Sequence, residues 1–181
     1  MGTRNLTVVY VDGEYRVAQY GQWDGYPSGQ GMTCLKFLTE EFVEHKFRQN
    51  LKKIKMVQTP EKLEALRTLY KDVLPEFDRD TGAKILELIQ NGKVSSGFLV
   101  NNIGFASQGD CEWAWVIDLD KRTFEAYVGW NHDPLTEGDR FFFLRDQEED
   151  GYYGAKLVHS WNLSCLPTKE EFLTAFGHDE E

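Results

Sequence analysis

Cysteine is scarce in this chain of 181 residues, present only as Cys34, Cys111 and Cys165. The number is odd and the spacing wide, so neither a disulfide framework nor a zinc site is expected. Positive charge is short too. Twenty Lys and Arg face thirty Asp and Glu, a formal net charge of -10, and that field repels a nucleic acid polymer or an anionic membrane. No apolar run approaches membrane-spanning length, and the N-terminus lacks the basic-then-apolar pattern of a secretory signal. A cytoplasmic location is expected. His45, His132, His159 and His178 show no i, i+4 pairing, so no metal site is expected, nor any other cofactor. P-loop and dinucleotide glycine patterns are also missing.

What is present is a globular mixture of strand and helix signals. Asn5 to Val11 and Glu14 to Tyr20 are rich in β-formers, and Asp12-Gly13 between them predicts a type I′ hairpin turn. An unbroken register would place Val11 opposite Glu14, Val8 opposite Val17 and Asn5 opposite Tyr20. A helix is expected from near Met32, carrying Leu35, Leu38, Phe42, His45 and Phe47 inward. The basic stretch Lys46 to Lys55 reads as its solvated end. Thr59-Pro60-Glu61 announces a second helix with Leu63, Leu66, Leu69, Tyr70 and Val73 buried. A third follows Asp80, with Ile85, Leu88 and Ile89 inward and Gly92 past its end.

From Ser96 onward the pattern is mostly strand. Ser96 to Val100 is short. Glu112 to Leu119 and Thr123 to Val128 form a second hairpin around Asp120-Lys121, with an alternation that suits a half-buried strand. Asp118 and Asp120 share one strand face, and Asp120 is assigned to the turn. Arg140 to Leu144 and Lys156 to Leu163 read as strands. Thr168 and Glu171 form a capping box that opens a closing helix with Phe172, Leu173 and Phe176 inward and Gly177 at its end. The order predicts an α+β fold, an antiparallel sheet built from two hairpins plus further strands with about four helices packed on it. One domain spans 1–177, and 178–181 is an acidic tail.

The segment Gly21 to Gly31, GQWDGYPSGQG, is the candidate site. Trp23 and Tyr26 offer aromatic faces, and Gln22 and Asp24 offer polar recognition. Gly29, Gln30 and Gly31 are expected to lead into a helix N-terminus, where backbone N–H groups favour an anion. Tyr20, Thr3 and Arg4 border the loop through the hairpin, with Arg4 placed to pair with Asp24 or clamp a phosphate. Such a set suits a polar, anionic, nucleotide-like small molecule. The alternative is that the rings simply plug the hairpin to the helix. His159 lies near Cys165 and Asn162, and such a histidine reads as a core residue. Trp130, Asn131, His132 and Asp133 make a polar-aromatic loop, either a plain turn or the rim of a site. Nothing in the pattern opposes a homo-oligomer.

At MGTRNL, AQYGQWDGYPSGQG and EWAWVIDLDKRTFEAYVG the chain resembles a family of uncharacterised activity from fungi, bacteria and bacterial viruses. Its members open with Met-Gly-Thr-Arg and share a YGQWDGYP signature. The matching positions are Gly2 to Leu6, Tyr20 to Pro27 with Gly29 and Gly31, and Trp115 to Tyr127. The resemblance implies a common domain and no particular reaction. Its viral members make sequestration of a host signalling nucleotide one form that ligand binding would take. A more distant likeness is to N-terminal nucleophile hydrolases, some of which begin Met-Cys-Thr-Arg. It implies an amidohydrolase or transferase. Here Gly2 stands in the cysteine's place, and Thr3 would serve as nucleophile only with Met1 and Gly2 removed.

Overall fold

The computed structural model describes residues 2–57, 79–94, 97–147 and 151–177. The helix expected after Thr59 lies outside the described residues, as does the acidic tail. The architecture is α+β. Strands β1 (Asn5–Val11), β2 (Glu14–Gly21), β5 (Trp113–Asp118), β6 (Thr123–Val128) and β7 (Lys156–Asn162) form a sheet in the order β2-β1-β5-β6-β7. The two hairpins meet through β1 and β5, which run parallel; the other pairs are antiparallel. A second, two-stranded parallel sheet pairs β3 (Lys55–Val57) with β4 (Phe98–Val100). Among the described residues the α-helices are α1 (Met32–Lys36), α2 (Glu44–Leu51), α3 (Ile85–Gln90) and α4 (Lys169–Ala175). Among the described residues, no helix is long and apolar enough to cross a membrane.

The first turn forms at Asp12 and Gly13, both at positive φ. Val11 faces Glu14 as expected, but farther from the turn the register differs. Val8 faces Ala18 and Asn5 faces Gly21, because Arg16 is an extra residue in β2 between the Val9–Val17 and Tyr10–Tyr15 pairs. The bulge has a use. It aims the Arg16 guanidinium at the end of α2, where Nη2 donates to Leu51 O at 2.9 Å and Ile54 O at 2.8 Å, tying the last carbonyl of the helix and one just beyond it to β2.

Helix boundaries also differ from expectation. Helical backbone starts at Pro27 rather than near Met32, as a π turn over Pro27–Gly31. It passes through α1 and ends in a second π turn, Phe37–Glu41. Phe42 and Val43 are extended, so Phe47 belongs to a separate helix. The break lets Phe37, Phe42 and Phe47 meet with ring centroids 5.6–5.7 Å apart. Rings five residues apart could not share one face of a single regular helix. Gly92 and Gly177 end α3 and α4 at positive φ, as expected, and the capping box of Thr168 and Glu171 is present.

Both faces of the sheet are covered, so β5 is not the half-buried strand its alternation suggested. Trp115 and Ile117 point into a core shared with the helices, including Cys34, Leu35, Phe47, Ile85, Ile89 and Phe172. Ala114 and Val116 point the other way, toward Leu6, Ala106, Phe141 and Leu144.

Arg140 enters this second layer, and that explains why Arg140 to Leu144 is not a strand. The chain here turns as a 3-10 segment, Phe142–Gln147. The turn sends Arg140 against the sheet, where Nη2 meets Asp118 Oδ2 at 2.5 Å and Nε meets Glu125 Oε2 at 2.9 Å. These side chains are 7 %, 1 % and 6 % exposed. Tyr127 donates its hydroxyl to Glu125 Oε2 at 2.7 Å, and Thr123 donates to Oε1 at 2.8 Å. Burial alone would lower the pKa of Arg140, but its bonds to Asp118 and Glu125 outweigh that and hold it above the ordinary arginine value. Burial first, then the charge of Glu125, pushes the Tyr127 phenol far up. Removing one partner of such a buried set strands the others. Arg140→Met should therefore cost about 3–5 kcal/mol in urea denaturation; a loss under about 1 kcal/mol would mean that water solvates the two carboxylates.

Asp120 acts across hairpins. Its carboxylate accepts the N–H groups of Asp12 and Gly13 at 2.9 Å each, while Asp118 Oδ1 accepts from Asp120 and Lys121 in its own turn. Asp120 lies in its own turn as expected, but its carboxylate caps the first hairpin's turn while Asp118 caps this one. Hydrogen bonds from Gly13 and then Asp12 depress the Asp120 pKa. A depressed folded pKa stabilises above the unfolded value near ~3.9 and is lost as pH falls through the folded one. Asp120→Asn should be the less stable chain at about pH 7, and the gap should narrow by about pH 3. Denaturant titrations at both pH values read this, and a gap of constant size would contradict it.

Candidate functional site

The Gly21 to Gly31 segment is a rigid rim and not a flexible flap. Its carbonyls are used in succession. Trp23 O accepts from Asn5 Nδ2 at 3.1 Å and Gln30 Nε2 at 3.3 Å, and Asp24 O accepts from Gln30 N at 2.7 Å. Gly25 O accepts from the buried Trp115 Nε1 at 3.0 Å. Tyr26 O accepts from Gly29 N at 3.1 Å and Gly31 N at 3.3 Å. The amides of Gly29, Gln30 and Gly31 are therefore spent inside the turn, which corrects the expectation that they would meet an anion. The glycines serve close approach. A Cβ on Gly29 would lie 2.2 Å from Asp24 O, and one on Gly31 would lie 2.7 Å from the Trp115 ring.

The chain's start borders this loop, as the hairpin implied. Gly25 N donates to Thr3 O at 3.0 Å, and a Cβ on Gly2 would strike the Trp23 ring at 2.4 Å. Thr3 is buried, at 5 % exposure, so its hydroxyl has little access to a substrate. Arg4 does not pair with Asp24. Its Nη1 meets Asp110 Oδ2 at 2.5 Å, because the parallel pairing of β1 with β5 delivers Arg4 to the segment before Trp113. Tyr20 donates to Gln22 Oε1 at 2.6 Å and sits edge-on to Phe105; burial raises its phenol pKa. Gln30 joins the loop to the start of the third helical segment, its Oε1 accepting from Ala83 N at 2.8 Å.

Four residues of the loop stay exposed: Trp23, Asp24, Tyr26 and Ser28. Trp23 and Tyr26 are each 45 % exposed. The Trp23 indole is oriented by a 2.7 Å bond from Nε1 to Asp80 Oδ1. Asp24 holds φ +55°.

Beside this rim runs a groove of about 630 Å³ between the helical run and the segment Leu166–Lys169. Met32, Leu35, Leu166 and Pro167 give it apolar walls, and Lys36, Lys169, Thr168 and Ser28 give it polar ones. Glu40 also lines it, 3.9 Å from Lys36. Among the residues named from the sequence, Gly29 lines the groove and the other nine do not. Lys36 and Lys169 were missed. An exposed lysine near a helix end carries no local signal, and only the docking of α4 beside α1 brings the two to one groove.

No cysteine or histidine lines the groove, although the exposed Cys165 is next to Leu166, which does. Cys34 and Cys111 are buried, and burial pushes both thiols far up. His159 stacks on Trp161, with centroids 5.4 Å apart, and meets Phe176 edge-on at 4.7 Å, a packed role. Scans against protein-family models, curated proteins and solved structures found no match.

The bond from Trp115 to Gly25 fixes the rim to the sheet. Trp115→Phe should cost about 1–3 kcal/mol through the orphaned Gly25 carbonyl alone. Amide exchange at Gly29, Gln30 and Gly31 should accelerate ahead of the sheet; unchanged protection there would show that the indole does not hold the loop.

Proposed function

We propose that this chain binds a polar, anionic small molecule of nucleotide size without turning it over. The ligand lies in the groove between α1 and Leu166–Lys169, with the aromatic loop as its rim. The observation that carries the reading is the groove itself: about 630 Å³, inside the ~300–1,000 Å³ range of small-molecule sites, with apolar walls and two lysines against one carboxylate, Glu40, in a chain of charge -10. Lys36 and Lys169 supply the anion recognition that the Gly29–Gly31 amides cannot. Met32, Leu35 and Pro167 supply a surface for a flat or apolar moiety. Tyr26 and Trp23 do not line the groove; they belong to the loop that leads into Ser28 and Gly29 of its wall. On the family resemblance, sequestration of a signalling nucleotide is the biological form of this activity.

Calorimetric titration with adenine nucleotides, cyclic dinucleotides and amino acids tests the reading. A phosphate-bearing ligand should bind saturably. The double variant Lys36→Ala/Lys169→Ala should weaken it by about tenfold or more, at about 1.4 kcal/mol per decade. Trp23→Ala should have a smaller effect. No saturable heat from any of them, or equal affinity in the double variant, would refute this assignment.

A further inference from the structure

A second aromatic surface lies at the end of the sheet where β6 stops, apart from the groove. Trp130 is 56 % exposed, and its backbone sits at φ +56°. For a bulky side chain that conformation is strained, and here the surroundings impose it. Gly129 N donates to Glu112 O at 2.9 Å, and a Cβ on Gly129 would lie 1.6 Å from Cys111 O. On the other side, Tyr153 N donates to Asn131 O at 2.8 Å. The Asn131 amide donates to Asp133 O at 2.7 Å and Gly154 O at 3.2 Å, while its Oδ1 accepts from Asp133 N at 3.0 Å. The indole is thus held outward by a fixed loop.

Two more rings join it. Tyr152 lies 6.1 Å from Trp130 and 4.8 Å from His132. It is seated on Gly109, where a Cβ would come within 2.8 Å of the ring. The surrounding charge is acidic. From Trp130 to Asp139 the chain has Asp133, Glu137 and Asp139 and no lysine or arginine. Asp133 is 83 % exposed, and Asp110, next to Gly109, is 62 % exposed. Lys156 stands 4.0 Å from Asp133 Oδ2, and Arg4 bonds Asp110 Oδ2. The Oδ1 atoms of both acids have no protein partner among the described residues.

We propose that this surface docks an arginine-bearing segment of a partner protein, with a guanidinium laid on the Trp130 indole and received by Asp133. Charge complementarity argues for a cationic partner, since both the loop and the whole chain are acidic. The exposed indole argues for arginine over lysine. A guanidinium is planar and weakly hydrated, so it stacks on an indole, and tryptophan is the strongest of the aromatic cation acceptors. A tryptophan whose backbone is fixed before binding has less freedom to lose on contact, which is the character of an interface anchor.

The test is an NMR titration of the full chain with blocked tetra-arginine, tetra-lysine and tetra-glutamate peptides at about physiological ionic strength. The arginine peptide should shift the Trp130 indole N–H and the amides of residues 129–133 and 152–154, and should bind more tightly than the lysine peptide. Trp130→Ala leaves net charge unchanged and should weaken binding at least fivefold; Asp133→Asn should weaken it at least twofold. Lys36→Ala/Lys169→Ala should leave it intact, which separates this surface from the groove. Equal affinity for the lysine peptide, equal affinity in Trp130→Ala, or shifts confined to other surfaces would overturn the proposal.

Discussion

The indole of Trp115 is the contact through which most of the molecule is organised. It projects from the middle of the sheet, fully buried, and its one polar atom bonds the backbone of the Gly21 to Gly31 loop at Gly25. A buried indole N–H without an acceptor is costly, so loop and sheet depend on each other. The ring also stacks on Trp113 and packs against Phe124 and Phe172. Gly31 rests on its edge so closely that no larger residue fits. One side chain thus sets the positions of the loop, the first helical run and the closing helix. The exposed faces of Trp23 and Tyr26 inherit their fixity from it.

The opposite face of the sheet is organised by charge. Arg140 lies between Asp118 on β5 and Glu125 on β6, and its guanidinium sits over the Tyr10 ring on β1 at 5.4 Å. Two carboxylates and one guanidinium leave this cluster formally one charge negative. Hydrogen bonds from Thr123, Tyr127 and the turn amides after Asp118 absorb that excess. A fully bonded polar set need not add stability over an apolar one, but it accepts few alternative partners.

Features governed by near neighbours were legible in the sequence. Asp12-Gly13 makes its turn, Thr168 and Glu171 their capping box, and Gly92 and Gly177 their helix ends, because each rests on residues within a few positions. Features that depend on distant partners were not. The bulge at Arg16 answers to carbonyls at Leu51 and Ile54. The Arg140 segment obeys carboxylates 15 and 22 residues away, not its own apolar run. The parallel junction of β1 with β5 joins segments 108 residues apart, and it moved Arg4 from Asp24 to Asp110. The loop was read correctly as a distinct, aromatic, glycine-rich feature. The reason for its glycines was misassigned: they admit Asp24, Thr3 and Trp115 at short range and do not open a phosphate cradle. Lys36 and Lys169 are separated by most of the chain, and no pattern in the sequence connects them.

The groove and the closing helix are coupled through the same indole. Thr168 and Lys169 stand where they do because the capping box starts α4 at that point, and α4 holds its place by seating Phe172 against Trp115 and Phe124. One wall of the groove is therefore only as stable as the docking of a seven-residue helix, while the other belongs to the helical run from Pro27 to Glu41. On the binding reading, a ligand that bridges Lys36 and Lys169 favours the docked helix over any undocked form by its differential affinity for the two. The C-terminal helix would then respond first to occupancy, and the Trp130 surface, built on the β6 end and braced by Asn131, would not.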